Sequence, residues 1–151
     1  MQELTVPASL ESLSTIGRFI MDMSTAGGLD NASAYRLRLA IDEIATNAIS
    51  YGEAGTRGPA TLTLRADTNP KTLTITLEDY GCAYDPRTQP APASTDIPLE
   101  ERDIGGLGVY LALSGVDRFD YEWTGERNRN IFVMNRPPSA FPSPPGGGSQ
   151  V

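Results

Sequence analysis

The sequence predicts an α+β fold, a two-layer α/β sandwich in which helices cover one face of a mixed, mostly antiparallel sheet. In the first third of the chain, apolar residues recur at spacings of three and four, which is the period of a helix. Two later stretches alternate polar with apolar residues, which is the period of a half-buried strand. Because the helical patterns precede most of the strand patterns, we expect helices packed on an antiparallel sheet.

The chain begins with a predicted short strand at residues 4–6, followed by a helix that has a single apolar stripe. The stripe consists of Leu10, Leu13, Ile16, Phe19, Ile20 and Met23. Gly27 and Gly28 end this helix, because glycine adopts the backbone conformation needed at a helix C-terminus. A second helix is predicted from Ala34 to Ser50. The candidate N-caps of this second helix are Asp30, Asn31 and Ser33.

A hairpin and a long loop follow the two helices. Residues 61–66 and 72–77 both alternate polar with apolar side chains and are joined by a short polar connection, so they predict two paired strands. From Ala83 to Asp103 the chain holds several prolines and few apolar residues, which predicts a long mobile loop. Loops of that length inside a compact domain are usually functional.

The domain closes with one helix and two strands. Residues 109–113 have a helical pattern, and Arg118 to Trp123 and Asn130 to Asn135 have strand patterns. Residues 137–151 are mostly Pro, Gly and Ser with little to bury, which predicts disorder. We therefore expect one domain at residues 1–136 and a disordered tail at 137–151.

The composition excludes several classes of function. The net charge of −7 repels a polyanion, so we expect no direct contact with nucleic acid. Cys82 is the single cysteine, which rules out an internal disulfide and fits a reducing cytoplasm. The sequence has neither a membrane-spanning apolar run nor a signal peptide, so we expect a cytoplasmic protein without a membrane anchor. It contains no histidine, which excludes Ser-His-Asp hydrolases, HExxH metalloenzymes and a self-phosphorylating histidine kinase.

The second helix carries a pair of polar residues beside its apolar stripe. With about 100° between successive residues, the buried stripe consists of Leu37, Ile41, Ile44 and Ala48. Glu43 and Asn47 then lie one turn apart on the flank of that stripe, while Asp42 points to water. Such a pair can line a pocket, although a pair at this spacing is by itself more often a solvated helix edge.

Asp79-Tyr80-Gly81 lies where the second hairpin strand ends. An ionised carboxylate only accepts hydrogen bonds, which matches the exocyclic amino group of adenine, and a glycine two residues later lets a base approach the backbone. Taken alone, this pattern is more often a plain turn.

Gly105-Gly106-Leu107-Gly108, the glycine loop, directly precedes a predicted helix. Its backbone N–H groups and the positive end of the helix can converge on phosphate oxygens. Arg102 stands just before the loop. The pattern is neither a P-loop nor a dinucleotide fingerprint, and by itself it is equally compatible with a flexible hinge.

In combination, residues 37–49, 78–86 and 105–111 resemble the anti-sigma-factor serine kinases typified by RsbW and SpoIIAB, members of the GHKL superfamily of histidine-kinase-like ATPases. The resemblance extends over residues 4–136, with the three motifs in the family's order. It implies a Bergerat-type ATP-binding fold.

The resemblance also implies a role for each site residue. Asn47 would ligate Mg²⁺, Asp79 would bind adenine, and Gly81 with the glycine loop would accommodate the base and the phosphates of ATP. Glu43 would be the general base, and Arg102 would reach the terminal phosphate. Some relatives place a threonine near the last strand, where this chain has Asn128 or Asn130, and the sequence leaves open which of the two takes its place.

The function implied by the resemblance is that of an ATP-dependent serine/threonine kinase in a partner-switching pathway. It would sequester a sigma factor or a comparable client, phosphorylate a STAS-domain antagonist, and be able to form a homodimer. An alternative is an ATP-gated binding module without significant kinase activity, which the sequence does not separate from the first. A sensor histidine kinase fragment would need a histidine-bearing dimerisation domain, which this sequence does not contain.

Overall fold

The computed structural model describes residues 1–52, 60–87 and 108–138, with the backbone alone at 51 and 52. The elements are β1 (Gln2–Pro7), α1 (Leu13–Ala26), α2 (Asn31–Gly52), β2 (Thr61–Thr68), β3 (Thr72–Asp79), β4 (Arg118–Trp123) and β5 (Asn128–Asn135). Residues 108–114 are also helical and are called α3. No helix within the described ranges combines the length and the apolar character needed to cross a bilayer.

The strands form a five-stranded sheet in the order β1-β2-β3-β5-β4. The four strand pairings seen in the described residues are all antiparallel. Leu77 of β3 lies opposite Leu64 of β2 on one side and Asn130 of β5 on the other. In the same register Asp79, the last residue of β3, lies opposite Asn128, the first residue of β5.

Alternation along the strands divides the sheet into two faces. One face packs against α1 and α2 and forms the core, in which Ile20, Leu37, Ile41, Leu77 and Phe132 are fully buried. The opposite face, called the outer face, carries threonine and charged side chains such as Thr63, Arg65 and Glu78. The α+β fold class predicted from the sequence is confirmed.

Two boundaries at the N-terminal side differ from the predictions. The second helix begins at Asn31, not at Ala34, because the Asp30 carboxylate accepts a hydrogen bond from the backbone N–H of Ser33 (2.7 Å) and caps the helix three residues earlier. The first helix begins at Leu13, since residues 10–12 form a 3₁₀ turn. Leu10 is consequently exposed and does not belong to the apolar stripe.

Two predicted segments are described only in part. Residues 83–87 have no helix or strand, and residues 88–103 of the predicted loop lie outside the described residues. The same holds for residues 139–151 of the predicted tail. The division into residues 1–136 and 137–151 stays a prediction.

Candidate functional site

A pocket of about 140 Å³ lies between α2, the end of β3 and the beginning of β5. Its lining residues are Ile44, Asn47, Ala48, Asp79, Cys82, Ala83, Tyr84, Asn128 and Asn130. Because Ile44 is buried in the core while Asn47 is only partly buried, α2 presents Asn47 at its edge as the sequence predicts. Asp42 is exposed, as predicted.

Asp79 is the buried carboxylate of the pocket, with 7% of its surface exposed. Its Oδ1 accepts hydrogen bonds from the backbone N–H of Gly81 (2.8 Å) and from Nδ2 of Asn128 (3.0 Å). Within the described part of the chain no donor reaches Oδ2, so this oxygen can accept a hydrogen bond from a ligand. Burial raises the pKa of Asp79, although the hydrogen bonds from Asn128 and Gly81 oppose that rise.

Asn128 connects the end of β3 to the segment that follows it. Its Nδ2 donates to Asp79 Oδ1 and to the carbonyl oxygen of Cys82 (2.9 Å). Its Oδ1 accepts from the backbone N–H of Tyr84 (2.9 Å) and from the hydroxyl of Tyr121. One side chain therefore fixes the position of the pocket carboxylate and the course of the backbone beyond it.

Asn130 places in the pocket a carboxamide that makes no hydrogen bond with any described residue. It is 3% exposed, and its Oδ1 is buried and unpaired among the described residues. A buried polar group left unsatisfied costs about 1–3 kcal/mol, so the site is suited to an occupant that forms a hydrogen bond there. Together with the free Oδ2 of Asp79, this amide fits the polar edge of a nucleotide base.

Glu43 lies on the same flank of α2 as Asn47, one turn before it, and its carboxylate faces the side of Gly108, at the start of α3, where a Cβ would stand. A methyl group placed on Gly108 would lie 3.1 Å from Glu43 Oε2, so a side chain there would shift the carboxylate by a few tenths of an ångström. Burial, with a smaller contribution from Asp42, raises the pKa of Glu43 above its usual value. A carboxylate with a raised pKa is a better proton acceptor near neutral pH than a fully solvated one.

The Asn47 carboxamide makes no hydrogen bond within the described residues and lines the pocket, so its oxygen is available to a divalent cation. Magnesium accepts such an oxygen and takes most of its other ligands from phosphate and water. Within residues 1–52, 60–87 and 108–138 there is no cluster of three or more acidic, cysteine or histidine side chains suited to holding a metal ion.

The structure thus brings Asn47 and Asp79 together in one pocket, with Gly81 in the turn beside them and Glu43 next to Gly108. Four other predicted site residues lie outside the described residues, namely Arg102, Gly105, Gly106 and Leu107. The sequence left open whether Asn128 or Asn130 takes the position near the last strand, and the structure places both in the pocket. Side chains alternate between the two faces of a strand, and Asn128 and Asn130 are two positions apart, so both lie on the core face of β5. Polar side chains are unusual on a core face, and this is the sequence signal that points to the two residues.

Comparison with known proteins gives one family match. The family model described as a histidine kinase-like ATPase domain matches residues 6–134. A search of curated proteins finds no match.

Several solved structures are similar to the chain at low identity. They include the histidine kinase AdeS of Acinetobacter baumannii (14% identity, TM-score 0.45) and the histidine kinase domain of a blue-light activated histidine kinase from Erythrobacter litoralis EL346 (17%, 0.47). Full-length ShkA in complex with AMPPNP is a third (16%, 0.47). The alignments cover 89%, 85% and 89% of this chain, and 68%, 61% and 31% of the three structures respectively.

Proposed function

Since this chain belongs to the histidine kinase-like ATPase family, we propose that it is an ATP-dependent serine/threonine protein kinase that acts as an anti-sigma factor in a partner-switching pathway. An ATPase domain binds ATP, and the pocket fits the base, since Asp79 offers a free acceptor and Asn130 an unpaired amide.

The observation that carries the kinase proposal is the position of Glu43. Its carboxylate is partly buried, has a raised pKa and lies one helical turn from Asn47 at the edge of the pocket. In the proposed reaction it accepts the proton of a serine or threonine hydroxyl. The hydroxyl oxygen then forms a bond to the γ-phosphorus of ATP, and the bond to the leaving ADP breaks. Phosphoryl transfer needs little beyond such positioning and neutralisation of charge.

Asn47 is the residue that would hold Mg²⁺, which would neutralise phosphate charge when bound. The 151 residues contain no histidine, so they cannot transfer a phosphate to an imidazole of their own. A serine or threonine on a STAS-domain antagonist is the proposed acceptor. A new dianion on that antagonist would be repelled by a protein with a net charge of −7, which releases the kinase to bind its sigma factor or other client.

The test is to incubate the protein with a STAS-domain antagonist and ATP-Mg²⁺ and to measure phosphate on the antagonist. Glu43→Gln should abolish transfer while ATP still binds, because the carboxylate that accepts the proton is replaced by a neutral amide of the same size. Asp42→Asn is the matched control, since Asp42 is the adjacent acidic residue and points to water. Transfer by Glu43→Gln at the wild-type rate would refute the role of Glu43.

An ATP-gated binding module is the second candidate, and one observation favours it. Tyr110 and Leu111 are 69% and 58% exposed on α3, the helix that directly follows the glycine loop. Apolar and aromatic side chains in such a position suit a protein interface. Client affinity that depends on ATP but is the same for wild type and Glu43→Gln, with no transfer by either, would favour this candidate over the kinase.

A further inference from the structure

The turn between β4 and β5 holds an arginine next to the nucleotide pocket. The backbone N–H of Thr124 donates to the carbonyl oxygen of Arg127 (3.0 Å), and Thr124 Oγ1 accepts from the N–H of Arg127 (3.0 Å). Gly125 adopts φ +96°, a conformation that favours glycine. The backbone of Arg127 is therefore fixed where β5 begins.

On the outer face Arg127 contacts two residues of the β3 end. Its guanidinium Nη1 lies 2.9 Å from Glu78 Oε1, and its central carbon lies 5.4 Å from the centre of the Tyr80 ring, a cation–π distance. In the register of the sheet Asp79 lies opposite Asn128, so Tyr80 and Arg127 follow one residue beyond that pair. Tyr80 is the residue between Asp79 and Gly81.

Glu78 anchors this arginine firmly. The carboxylate is 2% exposed and also receives Arg65 Nη1 at 3.0 Å and Arg129 Nε at 2.6 Å. Burial alone would raise the pKa of Glu78, but the hydrogen bonds from Arg129 and Arg65 outweigh it and hold the pKa below its usual value. The carboxylate thus stays ionised at neutral pH and keeps Arg127 in place.

We propose that Arg127 and Tyr80 are a positioning pair that holds the Asp79–Gly81 turn in its nucleotide-binding geometry from the outer face, while Asn128 holds it from the pocket side. A rotation of the peptide groups on either side of Tyr80 would carry its ring away from the Arg127 guanidinium, so the cation–π contact opposes that rotation. Those peptide groups carry the Asp79 carboxylate and the Gly81 N–H that bonds to it. The inference rests on the proposed ATP site, and it assigns to Arg127 an effect on base recognition without contact to the base.

Arg65 supplies a matched control. Arg65 and Arg127 donate to the same oxygen of Glu78 at nearly equal distances, and their side chains are 31% and 33% exposed. Arg65 extends instead towards Glu3 (2.8 Å), away from the turn. Removing either arginine removes one ion pair to Glu78, but only removal of Arg127 frees Tyr80.

The experiment measures the affinity of Arg127→Ala, Arg65→Ala, Tyr80→Ala and Tyr80→Phe for ATP and for purine riboside triphosphate by calorimetry, with melting temperatures alongside. Purine riboside triphosphate lacks the exocyclic amino group that Asp79 is expected to bind. We expect Arg127→Ala and Tyr80→Ala to bind ATP at least fivefold more weakly than Arg65→Ala does, with little change for the analogue. Tyr80→Phe keeps the ring and should behave as wild type.

Each outcome decides the inference. Equal ATP affinities of Arg127→Ala and Arg65→Ala, or an equal loss for ATP and the analogue, would overturn it. If Arg127→Ala does not fold, Tyr80→Ala decides alone, because it leaves the ion pairs of Glu78 intact, and unchanged ATP affinity of that variant overturns the inference. Wild-type protein that binds no ATP overturns the proposed function and the inference with it, whereas ATP binding by wild type and by all four variants alike overturns the inference alone.

Discussion

The substitution Asp79→Asn separates two roles of one carboxylate, closing the turn and binding the base. The amide oxygen of the variant can still accept the hydrogen bonds from Gly81 and Asn128. An NH₂ group then replaces Oδ2 in the pocket. Because this group and the amino group of adenine are both hydrogen-bond donors, no hydrogen bond forms between them. A hydrogen bond to a charged group is worth about 1.5–3 kcal/mol, so the Kd for ATP should rise about 10- to 150-fold.

The same variant should gain stability relative to wild type as the pH rises. The pKa of Asp79 is raised in the folded protein, mainly by burial. A carboxyl group of this kind contributes stability that is fully present below its unfolded pKa and is lost as the pH rises through its folded pKa. Asparagine does not titrate, so the difference in the free energy of unfolding should shift in favour of the variant as the pH rises from 3.8, the usual pKa of the group, through the raised pKa of Asp79.

Two measurements check this prediction. Calorimetric titration with ATP-Mg²⁺ gives the change in Kd, and urea unfolding at a series of pH values without nucleotide gives the change in stability. Asp42→Asn is the control, since that carboxylate is exposed. Wild-type affinity for ATP in Asp79→Asn would refute base recognition by Asp79, and a stability difference that does not depend on pH would refute the effect of burial.

Three further substitutions test other parts of the site. Glu78→Gln should lower the free energy of unfolding by about 1.5–3 kcal/mol at neutral pH, and because the pKa of Glu78 is lowered, this effect should disappear as the pH falls through that pKa. Urea unfolding in neutral and acidic buffer measures it, and an equal effect in both would contradict the assignment. Gly108→Ala should displace the Glu43 carboxylate and slow phosphoryl transfer about tenfold, with a melting temperature close to wild type, and transfer at the wild-type rate would contradict the contact. Asn130→Leu should raise the free energy of unfolding by about 1–3 kcal/mol and weaken ATP binding, whereas unchanged ATP affinity would mean that the amide does not bind the nucleotide.

Local patterns in the sequence predict the fold class and much of the site. The alternation of polar and apolar residues locates β2 and β3, and the helical period places Leu37 and Ile41 inward and Asp42 outward. Both patterns can be read from the sequence because they depend only on residues that are close together in the chain. The start of α2 is missed by three residues, since three polar residues compete as caps and only the folded geometry selects Asp30.

The partners of the site residues could not be predicted in the same way. The predicted start of the last strand at Asn130 leaves Asn128 in a loop, whereas the strand begins at Asn128 and places both amides on the core face. The ion pairs of Glu78 with Arg127 and Arg129 join residues about fifty positions apart in the sequence. No local pattern encodes such contacts, because they depend on the register of β3 against β5.

The two attachments of the Asp79–Gly81 turn respond differently to the solvent. The carboxamide of Asn128 neither gains nor loses a proton, and its hydrogen bonds to the carbonyl oxygen of Cys82 and from the backbone N–H of Tyr84 involve no charged group, so these bonds persist through acid and high ionic strength. The guanidinium of Arg127 is held by an ion pair, which acid abolishes by protonating Glu78 and which dissolved ions weaken only in part, because Arg127 is 33% exposed while the Glu78 carboxylate is buried. In concentrated salt the turn would therefore remain attached from inside the pocket while its outer support loosens, so nucleotide affinity should decline with ionic strength sooner than the stability of the fold.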